Sequence, residues 1–189
     1  FIGIDIKGAR IWSGATAAMR DDMKNVAFVR TSIELLDKFF APGEVSEIWI
    51  TFPDPQMKKV NKRLTGTRFV EMYRRVLAPG GLIHLKTDSP FLYNYTTMMV
   101  THNGLEVLQS TADLYATLSP EDPILNIRTH YEQQWLSRGL TIKYVLFRPG
   151  TEPTLQEPPG ADELEPDTYR SYSRGHVPGE EEIHGGADN

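Results

Sequence analysis

The 189-residue chain contains no cysteine. That excludes disulfide frameworks and cysteine-ligated zinc, and it fits a reducing compartment. No apolar run approaches the ~20 residues needed to span a bilayer, so no membrane span is expected. No secretory signal is visible. No glycine-rich GxGxG loop is present either, although the strand pattern described below leads one to look for it. Hydrophobic residues make up 40% of the chain, enough for a packed core and too many for a disordered chain. The sequence opens on Phe1, which already reads as strand interior. The chain is therefore expected to be a fragment, with its first strand upstream.

Net charge is −5, but it is unevenly spread. Residues 150–189 hold 10 acidic and 2 basic residues, a net of −8, which leaves +3 on residues 1–149. The positive charge of the body is clustered: Lys58, Lys59, Lys62, Arg63, Arg68, Arg74 and Arg75 face only Glu71 over the same stretch. A local basic surface matters more to an anionic partner than total charge does. Two units follow: a folded domain over 1–149 and an acidic, proline-rich tail over 150–189. The tail is expected to be largely irregular, with Tyr169 and Tyr172 able to dock part of it.

Apolar runs at Phe1–Ile6, Val26–Val29, Glu47–Phe52, Leu82–Lys86, Leu105–Leu108 and Thr141–Phe147 read as strands. Helices are expected over Ala15–Met23, over Ile33–Phe40 capped by Ser32, from a Thr65 cap to Leu77, and from Ser89 to about His102. No strong helix signal separates the last two strands, so they are open to an antiparallel pairing. Alternation of strands and helices implies an α/β fold with a mostly parallel sheet.

In such sheets ligands bind beyond the carboxyl ends of the strands. The polar residues there are Asp5, Thr31–Ser32, Asp54 and Thr87–Asp88. An acid after an early strand suits a ribose, though any one of these residues also serves as a simple turn cap. The most informative local feature is Phe52-Pro53-Asp54-Pro55. Proline restricts both itself and the residue before it, so Asp54 is held extended. A fixed carboxylate suits a base edge or a cofactor amine; the plainer reading is a turn that stops a strand. Lys58, Lys59, Lys62 and Arg63 follow in a loop on the same face, where a phosphate backbone is the natural partner. Arg68, Arg74 and Arg75 equally read as outer-face charges of the next helix.

Taken together, FPDPQMKKVNKRLT, then VLAPGGLIHLKTD, with GIDIK upstream and Thr129-His130-Tyr131-Glu132 downstream, resemble the TrmB family of tRNA (guanine-N7)-methyltransferases over about residues 1–148. The resemblance implies a Rossmann-like class I methyltransferase fold with an antiparallel last strand. It also implies S-adenosylmethionine as cofactor, no metal, a cytoplasmic setting, and methylation of N7 of a guanosine in the tRNA variable loop. By position, Asp5, Thr31, Ser32 and Asp54 fall where the family meets its cofactor, and Asp54 is also the proposed catalytic acid. Lys58, Asp88, Thr129, His130, Tyr131 and Glu132 fall at substrate positions. Lys59, Val60, Asn61, Lys62, Arg63, Leu64 and Thr65 fall at the RNA-contacting loop. The glycine-rich first motif is absent, Gln56-Met57 replaces a Trp-Pro-like pair, and Ser32 stands where a carboxylate is usual. Two other readings stay open: a non-catalytic RNA-binding module that kept the fold, and a methyltransferase for another substrate.

Overall fold

The computed structural model describes residues 1–117, 119, 122–151 and 154–169. Six strands and six α-helices alternate along it except where α5 and α6 follow each other. β1 (Ile2–Asp5), α1 (Gly8–Arg20), β2 (Ala27–Arg30) and α2 (Leu36–Phe39) come first. β3 (Val45–Thr51), α3 (Thr67–Val76), β4 (Leu77–Thr87) and α4 (Pro90–His102) form the centre. β5 (Val107–Thr111), α5 (Leu114–Thr117), α6 (His130–Ser137) and β6 (Lys143–Phe147) complete it.

The strands form two sheets. β1 and β2 pair in parallel, and a four-stranded sheet runs β3-β4-β6-β5. β3 and β4 are parallel, while β6 is antiparallel to both β4 and β5. The expected parallel pattern with an antiparallel last strand is therefore present, but β1 and β3 are not hydrogen-bonded neighbours. The β1–α1 block is thinly packed, with Trp12 71% and Ile6 64% exposed. The main core lies between the four-stranded sheet and α3 and α4, on Phe69, Val70, Tyr73, Ile83, Leu92, Met99 and Phe147. A second core, on Leu114, Leu125, Ile142 and Tyr144, fills the space near α5 and α6. No helix among the described residues is long and apolar enough to cross a membrane.

Local chemistry accounts for most boundaries. Ser32 accepts from the Glu34 amide and Ser89 from the Leu92 amide, each capping the turn it opens. The helix expected over Ile33–Phe40 is a 3-10 turn at Ile33–Leu35 followed by the single α-turn of α2. Thr65 does not cap α3: Gly66 takes that place, and the buried Thr65 hydroxyl pairs with Thr96 at 2.7 Å. Helix α1 starts well before Ala15, and α5 and α6 occupy the stretch where no strong helix signal lay. Gly80, with φ +76°, and Gly81 form an irregularity within β4; a Cβ on Gly81 would meet the Ala78 carbonyl at 2.9 Å.

The tail is irregular and docked at Tyr169, as expected, but it buries more than its composition suggests. Residues 154–169 contain no α-helix or β-strand, yet they are packed onto the body. Leu155 and Ala161 enter the main core. The Leu155 amide donates to Glu71, and Glu157 accepts from both Thr67 and Tyr95. Tyr172 lies outside the described residues. Because Leu155 is only 6% exposed, Leu155→Ala should destabilise the protein by about 2–4 kcal/mol. Urea unfolding followed by circular dichroism checks this; a change below about 0.5 kcal/mol, typical of surface sites, would mean the tail is not part of the core.

Candidate active site

The carboxyl ends of β3 and β4 are adjacent because Thr51 pairs with Lys86, and the Phe52 amide extends the ladder by donating to the Lys86 carbonyl at 2.8 Å. The turn carrying Asp54 and the Thr87–Asp88 turn therefore share one edge of the sheet. Pro53 and Pro55 are buried while Asp54 between them is exposed. Phe52 and Gln56, on either side, have φ of +49° and +50°. Such left-handed backbone costs non-glycine residues of order 1 kcal/mol or more and persists only where its surroundings hold it. The Asp54 carboxylate also accepts from the Gln56 amide at 3.0 Å. The result is a stiff turn that presents one carboxylate to solvent.

The basic loop beyond this turn divides its charges. Lys58, Lys59, Asn61 and Lys62 are exposed, as is Val60, and Leu64 is half-buried. Lys62 and Arg68 both reach Glu34, at 2.7 and 3.1 Å, and these contacts hold the Glu34 carboxyl below its ordinary range, Lys62 contributing most. Arg63 corrects the RNA-contact expectation. It is 2% exposed, donates to the Gln56 and Met57 carbonyls, and lies over the rings of Tyr95 and Phe91 at 4.4 and 4.9 Å. Its cation braces the Asp54 turn from inside. Thr65, fully buried on Thr96, is likewise no surface contact.

Thr129 to Glu132 open α6 with a reciprocal capping box. Thr129 accepts from the Glu132 amide, and the Glu132 carboxylate accepts from the Thr129 amide. Glu132 has no exposed surface and forms an ion pair with Lys86 at 2.9 Å. Lys86 also donates to the carbonyls of Leu125 and Ile127, and Tyr115 donates to Glu132. Burial raises the Tyr115 phenol above its ordinary range, and its hydrogen bond to Glu132 adds to the shift. Thr129 and Glu132 thus spend these groups on one another and on Lys86. His130 and Tyr131 point outward, Tyr131 being 38% exposed.

Tyr131 links this helix to the first sheet. Arg10 lies over its ring at 5.3 Å and donates to Asp5 at 3.1 Å. The hydrogen bond from Arg10 to Asp5 is the main cause that raises the guanidinium's already high pKa. Asp5 also accepts from the Lys7 amide and keeps its side chain 26% exposed. Thr31 and Ser32, half-buried, follow β2, which runs beside β1.

Asp88, with no exposed surface, accepts from Tyr169 at 2.7 Å, and its backbone carbonyl accepts from the buried Lys143 ammonium at 3.2 Å. Burial lowers the Lys143 pKa; Asp88, Asp167 and Asp113 oppose that shift. Lys86 and Lys143 were not singled out from sequence. The available signal was a lysine inside an otherwise apolar strand, which must find a buried partner.

Residues 1–145 match the profile of a family described as putative methyltransferase. The chain is 64% identical over 174 residues to a tRNA (guanine-N(7)-)-methyltransferase of Porphyromonas gingivalis (strain ATCC BAA-308 / W83), spanning 92% of this chain and 71% of that protein. It is 58% identical over 174 residues to the protein of the same name from Bacteroides fragilis (strain YCH46), spanning 92% and 68%. A third, from Christiangramia forsetii, is 48% identical over 150 residues, spanning 78% and 67%. The solved structure of the cyclase SpnF superposes with a TM-score of 0.50 over 78% of this chain and 65% of that one, at 13% identity, a likeness of fold alone.

Removing one partner of a buried ion pair leaves the other charge unpaired, at a cost of about 3–5 kcal/mol. Glu132→Gln should therefore lower unfolding free energy by about that amount, with Lys86 left buried. Denaturant melts check this; a loss below about 1 kcal/mol would show that the pair is solvated in solution.

Proposed function

The chain belongs to the TrmB family of tRNA (guanine-N7)-methyltransferases, and from that membership we propose that it transfers a methyl group from S-adenosylmethionine to N7 of a guanosine in the tRNA variable loop. The observation that carries this reading is the stiff Asp54 turn, set beside Asp88 and followed at once by the exposed Lys58 and Lys59. A small neutral substrate needs no such cationic approach, and a mere RNA-binding module needs no exposed acid held by two buried prolines and two left-handed residues.

The residues present fit the adenosine part of the cofactor. Asp5 lies at a strand end with a partly exposed carboxylate, a suitable acceptor for ribose hydroxyls. Thr31 and Ser32 lie at the neighbouring strand end, with hydroxyls suited to an adenine edge. When bound, S-adenosylmethionine supplies an electrophilic methyl group on a sulfonium.

Guanine N7 carries a lone pair and no proton, so no base is required to make it a nucleophile. The protein's work is positioning and charge balance. Asp54 accepts from the guanine N1–H and N2 amino group, orients the base and stabilises the positive charge that grows on the purine ring. Lys58 and Lys59 hold nearby phosphates. Asp88 and Thr129 define the pocket from behind, and His130 and Tyr131 line its outer side; Glu132, expected at a substrate position, is instead buried on Lys86 and the α6 cap and supports the pocket without reaching the base. The tRNA substrate is a cytoplasmic one in this reading.

Asp54→Asn should lower the rate of N7-methylguanosine formation at least ~100-fold, the size of one lost transition-state contact. Mass spectrometry of digested tRNA is the readout, and near-wild-type turnover would remove Asp54 from the mechanism. Replacing Lys58 and Lys59 together by Ala should weaken binding to all tRNAs alike and reduce the slope of log K against log salt by about 1–2. Arg63→Ala, by contrast, should act first through stability. An unchanged salt slope for the lysine pair in filter binding would place the phosphate contacts elsewhere.

A further inference from the structure

Residues 165–169 end the described tail at the carboxyl edge of the four-stranded sheet. Two of these side chains and one backbone amide touch each of the three segments that carry the candidate substrate site. The Asp167 amide contacts the Met57 sulfur at 3.1 Å, in the loop that follows Asp54. The Asp167 carboxylate accepts from the Ser89 hydroxyl at 2.5 Å and the Phe91 amide at 3.1 Å, capping α4 immediately after Asp88. The Tyr169 hydroxyl donates to Asp88 at 2.7 Å. The Tyr169 ring meets Trp135 of α6 edge-on, 5.5 Å between centroids.

Farther upstream the tail adheres through the apolar Leu155 and Ala161, with an exposed acid, Glu157, accepting from Thr67 and Tyr95. At the site it buries a carboxylate, 7% exposed, near the buried Lys143 and brings a phenol onto a second buried carboxylate. Burying charge and polar groups is a poor source of net stability, and it fixes geometry instead. Asp88 has no exposed surface while Tyr169, bonded to it, is half-buried, so of the two it is Tyr169 that keeps surface open to a bound base. Trp135, also half-buried, stands at 82° to that ring, and the two rings form an aromatic corner at that point.

We propose that residues 165–169 form one wall of the guanosine pocket and that Tyr169 is a positioning residue, its hydroxyl fixing the Asp88 carboxylate and its ring, with Trp135, flanking the bound base. This rests on the tRNA-methyltransferase reading above. Residues 165–169 are then not an appendage of the catalytic domain but part of its substrate site.

The test is a double-mutant cycle in the full chain, with kcat and KM measured for N7-methylguanosine formation on a tRNA transcript. Tyr169→Phe removes one hydroxyl and keeps the ring. It should lower kcat/KM by about tenfold to a hundredfold, the weight of a hydrogen bond to a charged group, together with a small drop in melting temperature from the donor lost to the buried Asp88. Asp88→Asn should also lower it, and the double variant should be within about threefold of Asp88→Asn alone, because the two groups act as one unit. Wild-type kcat/KM in Tyr169→Phe, or additive losses, would overturn the proposal. A gain in rate would overturn it in favour of a latch that must open. Hydrogen exchange of the peptide holding residues 163–169 gives a readout free of catalysis: tRNA should slow it, whereas unchanged or faster exchange counts against a wall. If the wild-type protein forms no N7-methylguanosine, the functional reading fails, and the exchange experiment still decides the strap.

Discussion

Lys86 and Glu132, both almost without exposed surface, hold α6 against the carboxyl end of β4. The attraction between them is set against the cost of removing two charges from water, and such pairs seldom give a large net gain in stability. What they give is position. Lys86 has few directions left once it has donated to Glu132 and to the Leu125 and Ile127 carbonyls. With α6 placed in this way, Tyr131 stands under Arg10 and Trp135 stands beside Tyr169. Helix α1, the central sheet and the tail are thus each in contact with one short helix. Without the pair, α6 would keep the packing of Trp135 and Leu136 on the second core but lose the polar contact that fixes its first turn against β4.

The same edge shows how one basic stretch is put to two uses. Lys58 and Lys59 face solvent, where a long flexible ammonium suits a phosphate. Arg63, only a few residues on, is inside, donating to two carbonyls of the turn it supports and lying across two aromatic rings. A planar guanidinium is suited to that place because it donates in fixed directions and stacks on rings. The loop's charge toward solvent is therefore smaller than its composition suggests, and its shape is better defined.

The acidic tail likewise divides into parts with different physics. Its apolar residues Leu155 and Ala161 extend the main core, and its buried acid Asp167 completes the cap of α4 that Ser89 begins. Glu157 meets two hydroxyl donors from α3 and α4. Net negative charge alone reads as a solvated, irregular segment; individual placement of the charges turns the same segment into a docked one.

Strand and turn positions near the site were legible in the sequence, because they rest on local chemistry. Prolines around Asp54, serine caps at Ser32 and Ser89, and apolar runs ending in polar residues act within a few residues of themselves. Boundaries that depend on packing were less legible: Thr65 has the chemistry of a cap but is drawn inward by Thr96, and Ala15–Met23 is displaced from the true helix. What no local pattern determined is the environment of each charge. Arg63 and Lys59 look alike in the chain, as do Glu132 and Glu157, and whether each is buried or exposed depends on residues distant in sequence. Sequence by itself determined the alternating α/β order, the carboxylates at the strand ends and the family resemblance. Only the tertiary structure decided which of those groups face solvent and which are spent on holding the site together, because the cost of burying a charge is set by the partners that folding brings to it.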